Sequence, residues 1–134
     1  MPTKKQEDIE NGLHSEEKLL PKLQKKFGTE LERSTDKYCP YDFRKKGVRI
    51  ELKTRNNASD TYPTTMIGLS KVRHAENYSG KYYFFFAFTD GIKYIRYDED
   101  VFREFQIGLG GRSDRGKVES NTYVYIPVDA LKDF

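Results

Sequence analysis

With 134 residues the chain has the length of one domain, large enough to bury a sizeable core without disulfides. Its single cysteine, Cys39, excludes an intrachain bridge and fits a reducing compartment, and the lack of any CxxC or Cys/His spacing argues against structural zinc. The 24 Lys and Arg against 21 Asp and Glu leave a net charge of only +3, so an anionic partner has to be sought in where the basic residues cluster rather than in their sum.

The N-terminal stretch from Met1 to Asp8 is too charged for a signal peptide. The longest apolar run, Phe84 to Phe88 with flanking tyrosines, is far too short to span a bilayer. These features predict a soluble, intracellular protein without membrane contact. The first element is a helix ending at Phe27-Gly28, with Leu19, Leu20, Leu23 and Phe27 as its apolar stripe. Glu16 lies four, seven and eleven residues before Leu20, Leu23 and Phe27 and so falls on that stripe, whereas Glu17 is turned about 100° away. Glu16 is therefore expected to face inward. The competing reading makes both acids first-turn partners of the helix dipole after a Ser15 N-cap. Pro21 complicates either reading, because a proline inside the helix removes a backbone hydrogen bond and predicts a kink or a later start. His14, just before the first-helix acids, is expected as an exposed residue near the helix start, with metal ligation the less frequent alternative, and His74 has no nearby Ser or Cys arranged for a triad.

A strand near Thr29 to Ser34 follows, and then two strands between Cys39 and Arg55 around a turn from Arg44 to Gly47, where glycine can take a positive φ. Alternation along the second strand sends Val48, Ile50 and Leu52 to a core and Arg49, Glu51, Lys53 and Arg55 to the other face. The partner strand can bring Asp42 beside Glu51 and Lys53. Oxygen ligands suit a hard cation such as Mg²⁺, which binds through one or two carboxylates, waters and substrate phosphate. A lysine beside it can orient or help deprotonate an attacking water. Glu-x-Lys is also common on an ordinary solvated strand face.

Beyond the hairpin, a helix is expected near Thr65 to Glu76, with Lys71 close to its start, where backbone N–H groups and the dipole favour phosphate. The continuous apolar run Tyr82 to Phe88 predicts a central strand buried on both faces, and Asp90-Gly91 turns the chain into a strand from Ile92 to Tyr97. Asp98 to Phe105 reads as a short helix with Val101, Phe102 and Phe105 on its apolar side. Ile107 to Lys117 reads as a loop holding four glycines and the basic residues Arg112, Arg115 and Lys117. It lacks the Gly-Lys-Ser/Thr and the strand-to-helix context of a P-loop. A last strand, Thr122 to Pro127, and a short helix from Asp129 end the chain.

The order α, β, β, β, α, β, with Pro40-Tyr41-Asp42 on the second strand and Glu51-Leu52-Lys53 on the third, resembles the PD-(D/E)xK (restriction-endonuclease-like) nuclease superfamily over about residues 15 to 97. The resemblance implies a single-domain α/β fold, a mixed sheet flanked by helices, with residues 98 to 134 as an extension. It implies that Asp42, Glu51 and the carbonyl of Leu52 hold Mg²⁺, with Mn²⁺ a substitute, and that Lys53 assists the nucleophilic water. Many members add a first-helix glutamate, here Glu16. The implied activity is endonucleolytic phosphodiester hydrolysis, of DNA rather than RNA by superfamily frequency, of a resolvase, nicking or restriction type. Members that cut both strands generally dimerise. Arg44, Lys45 and Lys46 at the turn, Arg49 and Arg55 on the active face, Lys71 and Arg73 on the second helix, and Arg112, Arg115 and Lys117 in the late loop are expected to meet phosphates. Tyr41, Tyr62 and Tyr78 are candidates for substrate contact. The alternative is a nucleic-acid-binding or assembly module that keeps this fold without turnover.

Overall fold

The computed structural model describes residues 4–34, 39, 41–109 and 122–134, with side chains from residue 16 onward. The fold is mixed α/β. A six-stranded sheet has the order β1-β2-β3-β5-β6-β9, formed by β1 (Glu32–Arg33), β2 (Phe43–Lys45), β3 (Val48–Thr54), β5 (Lys81–Phe88), β6 (Gly91–Arg96) and β9 (Lys132–Asp133). A smaller sheet has the order β4-β8-β7, from β4 (Thr64–Gly68), β7 (Gln106–Leu109) and β8 (Thr122–Pro127). The helices are α1 (Lys4–Phe27), α2 (Leu69–Glu76) and α3 (Glu99–Arg103). Among the described residues only β3 and β5 pair in parallel, and the crossover between them carries β4 and α2.

The large sheet is buried on both sides because its central strands are apolar on both. Phe85 joins Ile50, Leu52, Phe43 and Leu31 under Leu19 and Leu23 of α1. Tyr82, Phe84, Phe86 and Phe88 face the other way, onto Val72 and Ala75 of α2, Phe102 of α3, and Ile67, Val124 and Ile126 of the small sheet. Continuous hydrophobicity from Tyr82 to Phe88 thus marks a strand with two cores to fill.

Four expectations need correction. The helix expected from Thr65 is preceded by a strand: Thr65 and Ile67 are buried, Thr64, Met66 and Gly68 are half-buried, and all five residues pair with β8 before α2 begins at Leu69. Thr-Thr-Met-Ile is rich in β-branched side chains, which suit a pleated surface once a partner strand is present. The N-terminal helix starts at Lys4, so Ser15 lies inside it instead of capping it, and the helix continues across Pro21. The start of the expected loop at Ile107 belongs to β7. The expected terminal helix is a 3₁₀ turn, Val128–Ala130, leading into β9.

The turn between β2 and β3 relies on Gly47 at φ +79°. Against it packs the loop before β5, where Lys81 N–H donates to the Gly47 carbonyl at 2.9 Å. A Cβ on Gly80 would lie 2.5 Å from the Gly47 oxygen and 2.7 Å from the Tyr78 ring, so this contact requires glycine.

Candidate active site

Asp42 sits just outside β2, at a local irregularity. Phe43 pairs with Ile50, yet the Asp42 N–H also donates to the Ile50 carbonyl, at 2.8 Å. Two residues of one strand facing one of the other is the arrangement of a β-bulge, which re-aims a side chain and ends regular pairing. The Asp42 carboxylate consequently turns onto β3, where its Oδ2 accepts the Leu52 N–H at 2.7 Å. A strand residue's N–H and C=O point toward the same neighbour. The Leu52 carbonyl therefore faces the Asp42 side of β3 and not β5.

Glu51, on the opposite face of the pleat from the α1 core, is 4 % exposed. Its Oε1 lies 3.2 Å from Lys53 Nζ and 3.7 Å from Lys71 Nζ. Burial raises its pKa first and the Asp42 charge second, against the two ammonium groups, and the result is pushed up to about 7. Glu16 approaches Asp42 from the other side. Burial again leads in raising its pKa, followed by the charge of Asp42 and a hydrogen bond with it, while Arg33 opposes the shift. Arg33 Nη2 holds Glu16 at 2.9 Å, and Glu17 is 67 % exposed, 3.8 Å from the same guanidinium. Asp42 thus stands between two carboxyl groups whose pKa values are raised by burial first and by its charge second.

Such mutual repulsion is what a divalent cation would relieve. Among the described residues, no three His, Cys, Asp or Glu side chains form a cage for an ion by themselves. Asp42 and Glu51 offer two carboxylates and Leu52 a carbonyl, with Glu16 a third carboxylate beyond Asp42. That set suits Mg²⁺, which takes one or two carboxylates and fills its octahedron with water and phosphate. It suits a fully protein-made site poorly.

The basic residues divide. Lys71 reaches the cluster through Glu51. Arg44 makes an exposed pair with Glu32 at 3.1 Å, and Lys46 is exposed at the hairpin turn. Lys45 instead donates to the Phe27 carbonyl. Arg55 is turned inward: it donates to the Met66 carbonyl and to Thr65 Oγ1, and lies over the Phe86 ring, so it ties β3 to β4. Arg73 is exposed beside a cavity of about 550 Å³ lined from α2, α3 and β7, whose lining includes neither Asp42 nor Glu51. Tyr62 is exposed near Lys93 and Asp129. Arg112, Arg115, Lys117 and Pro40 lie outside the described residues, as do the side chains of His14 and Ser15.

Sequence reasoning did not single out Arg33. Its contact with Glu16 spans 17 residues, and nothing in the local Glu32-Arg33 pattern announces it.

Residues 6–134 match the model of the family described as "Phage putative PDDEXK endonuclease". No curated protein and no solved structure matches the chain.

Proposed function

We propose, on the premise that the chain belongs to this PDDEXK endonuclease family and hence to the PD-(D/E)xK superfamily, that it is an Mg²⁺-dependent endonuclease cutting phosphodiester bonds in DNA, with Mn²⁺ able to substitute. The observation that carries this reading is the buried Glu51, set beside Asp42 and 3.2 Å from the Lys53 ammonium. A carboxylate that burial and a like charge hold near neutrality, with amines at its side, is the pattern of a catalytic group.

In this reading Asp42, Glu51 and the Leu52 carbonyl hold the ion, with Glu16 a further carboxylate behind Asp42. When bound, the ion lowers the pKa of the attacking water and offsets charge on the phosphate oxygens. Lys53 donates a hydrogen bond that orients this water in line with the scissile bond. The water oxygen attacks phosphorus and gives its proton to a carboxylate of the cluster, Glu16 being available. The P–O ester bond breaks, and the departing alkoxide takes a proton from solvent. Lys71 adds positive charge toward the same phosphate, while Arg44, Lys46 and Arg73 contribute exposed, salt-sensitive contacts. Arg44 is paired with Glu32 only at the surface, where such a pair is easily exchanged for a phosphate. Cutting both strands would call for two copies of the chain.

The test is cleavage of labelled duplex, single-stranded and four-way-junction DNA with Mg²⁺, Mn²⁺ or EDTA. Metal-dependent cutting is expected, reduced about 100-fold or more in both Asp42→Ala and Lys53→Ala. Binding without cutting under every metal would identify the non-catalytic module instead, and cleavage of RNA alone would reassign the substrate.

A further inference from the structure

A second constellation adjoins the acidic cluster. Arg49 precedes Glu51 by two residues, so the two share a face of β3 about 6.7 Å apart along the strand. The central carbon of the Arg49 guanidinium lies over two rings, 4.9 Å from the centroid of Tyr41 and 4.8 Å from that of Tyr78. Its Nη1 donates to the carbonyls of Lys45 and Val48 at 2.8 and 2.9 Å. Tyr41 immediately precedes Asp42, which links the stack to the cluster through the backbone. Tyr78 is held in place by the tight contact of Gly80 with the hairpin turn.

Tyr82 completes the set. It stands in register with Arg49 on β5, and its ring meets Tyr78 edge-on with centroids 6.1 Å apart. The residue is 1 % exposed, and its hydroxyl has no hydrogen-bond partner among the described residues. The hydroxyl also feels the charges of Glu51 and Asp42, which raise its pKa after the effect of burial. The Nε and Nη2 groups of Arg49 make no hydrogen bond among the described residues either. A half-buried arginine flanked by two rings, with Nη1 engaged by two backbone carbonyls, suits a ligand that brings acceptor oxygens to the rest of its planar fork.

We propose that Arg49, clamped by Tyr41 and Tyr78, anchors the backbone phosphate next to the scissile one on the same nucleic-acid strand, and so sets which phosphodiester enters the acidic cluster. The clamp gives the anchor its value. A guanidinium already fixed in one orientation loses little freedom on binding, and its planar fork matches phosphate where a lysine would not. The inference rests on the nuclease reading above.

The experiment measures anisotropy of a fluorescein-labelled DNA duplex in EDTA, where no metal-dependent cutting interferes, at several salt concentrations. Arg49→Met, which keeps much of the stem, is expected to weaken binding about tenfold or more and to lower the slope of log affinity against log salt by about one. Arg49→Lys should not restore wild-type affinity, and Arg96→Ala, exposed on β6, should change neither quantity. With Mg²⁺ restored, the cuts left to Arg49→Met should spread over neighbouring bonds. A variant that melts lower but keeps wild-type affinity and salt slope would overturn the anchor, leaving the clamp as a structural tie and the nuclease reading intact. Wild-type protein that binds neither duplex nor single-stranded DNA would bring down the DNA-nuclease reading, and the anchor on DNA with it.

Discussion

At Glu51, burial and charge pull in opposite directions. The side chain is almost fully enclosed, and Asp42 adds a like charge, so its pKa is pushed up to about 7 despite Lys53 and Lys71. In the unfolded chain the same carboxyl would titrate near 4.5. Between these values the folded protein keeps a proton that the unfolded chain has lost, so stability falls as pH rises through the window. A shift of this size amounts to a few kcal/mol, on the order of 1.4 per pH unit. Glu16 is shifted in the same direction. Metal-free wild type should therefore melt lower at pH 8 than at pH 5. Glu51→Gln should flatten that decline and melt higher at pH 8, while losing cleavage. Mg²⁺ should raise the melting temperature of wild type at pH 8 and have little effect on Glu51→Gln. Thermal melts at the two pH values check all of this, and a pH-independent wild type would contradict the assigned environment of Glu51. The Glu16 stripe was legible in the sequence because helical spacing alone turns it inward and Glu17 outward. Its partner Arg33 was not, since that contact joins α1 to β1 across a turn.

Among the elements, the β2–β3 hairpin was readable because its signals are local: a glycine at the turn and strict alternation from Val48 to Lys53. Strand β4 was not. Its partner β8 lies about sixty residues further on, and a five-residue run with three β-branched side chains beside a good helix reads equally well as part of that helix until the partner is known. Arg55 went unrecognised as a structural residue for the same reason, because the carbonyl and hydroxyl it holds belong to β4. The loop from Asn77 to Gly80 depends on close backbone contact. Gly80→Ala would push a Cβ into the Gly47 carbonyl and the Tyr78 ring. The expected cost is about 1–3 kcal/mol, a drop of several degrees in melting temperature, together with weaker DNA binding as Tyr78 leaves Arg49.

Across the whole molecule, the segment after Tyr97 is woven into the fold. Strand β8 pairs with β4 from the middle of the chain and with β7, β9 edges the large sheet at β6, and Val124, Ile126 and Leu131 sit in the same core as Phe84 and Phe86. Ile126→Ala, at a site with no exposure, should cost about 2–5 kcal/mol by denaturant unfolding. It should also lower cleavage at temperatures where wild type is still folded, because β4 and α2 carry the supports of Arg55 and Lys71. No helix among the described residues is long and apolar enough to cross a membrane. By itself the sequence determined the hairpin, the face that carries Glu51 and Lys53 and the doubly buried strand β5, all of which follow from the pleat and the chemistry of a tight turn, while helical spacing favoured Glu16 over Glu17 without deciding its role. Only the tertiary structure decided the second sheet, the Arg33–Glu16–Asp42 chain, the burial that raises the Glu51 pKa and the placing of Arg49 against the Tyr41 and Tyr78 rings. Each of these depends on burial or on contacts between residues far apart in the chain, which no local period encodes.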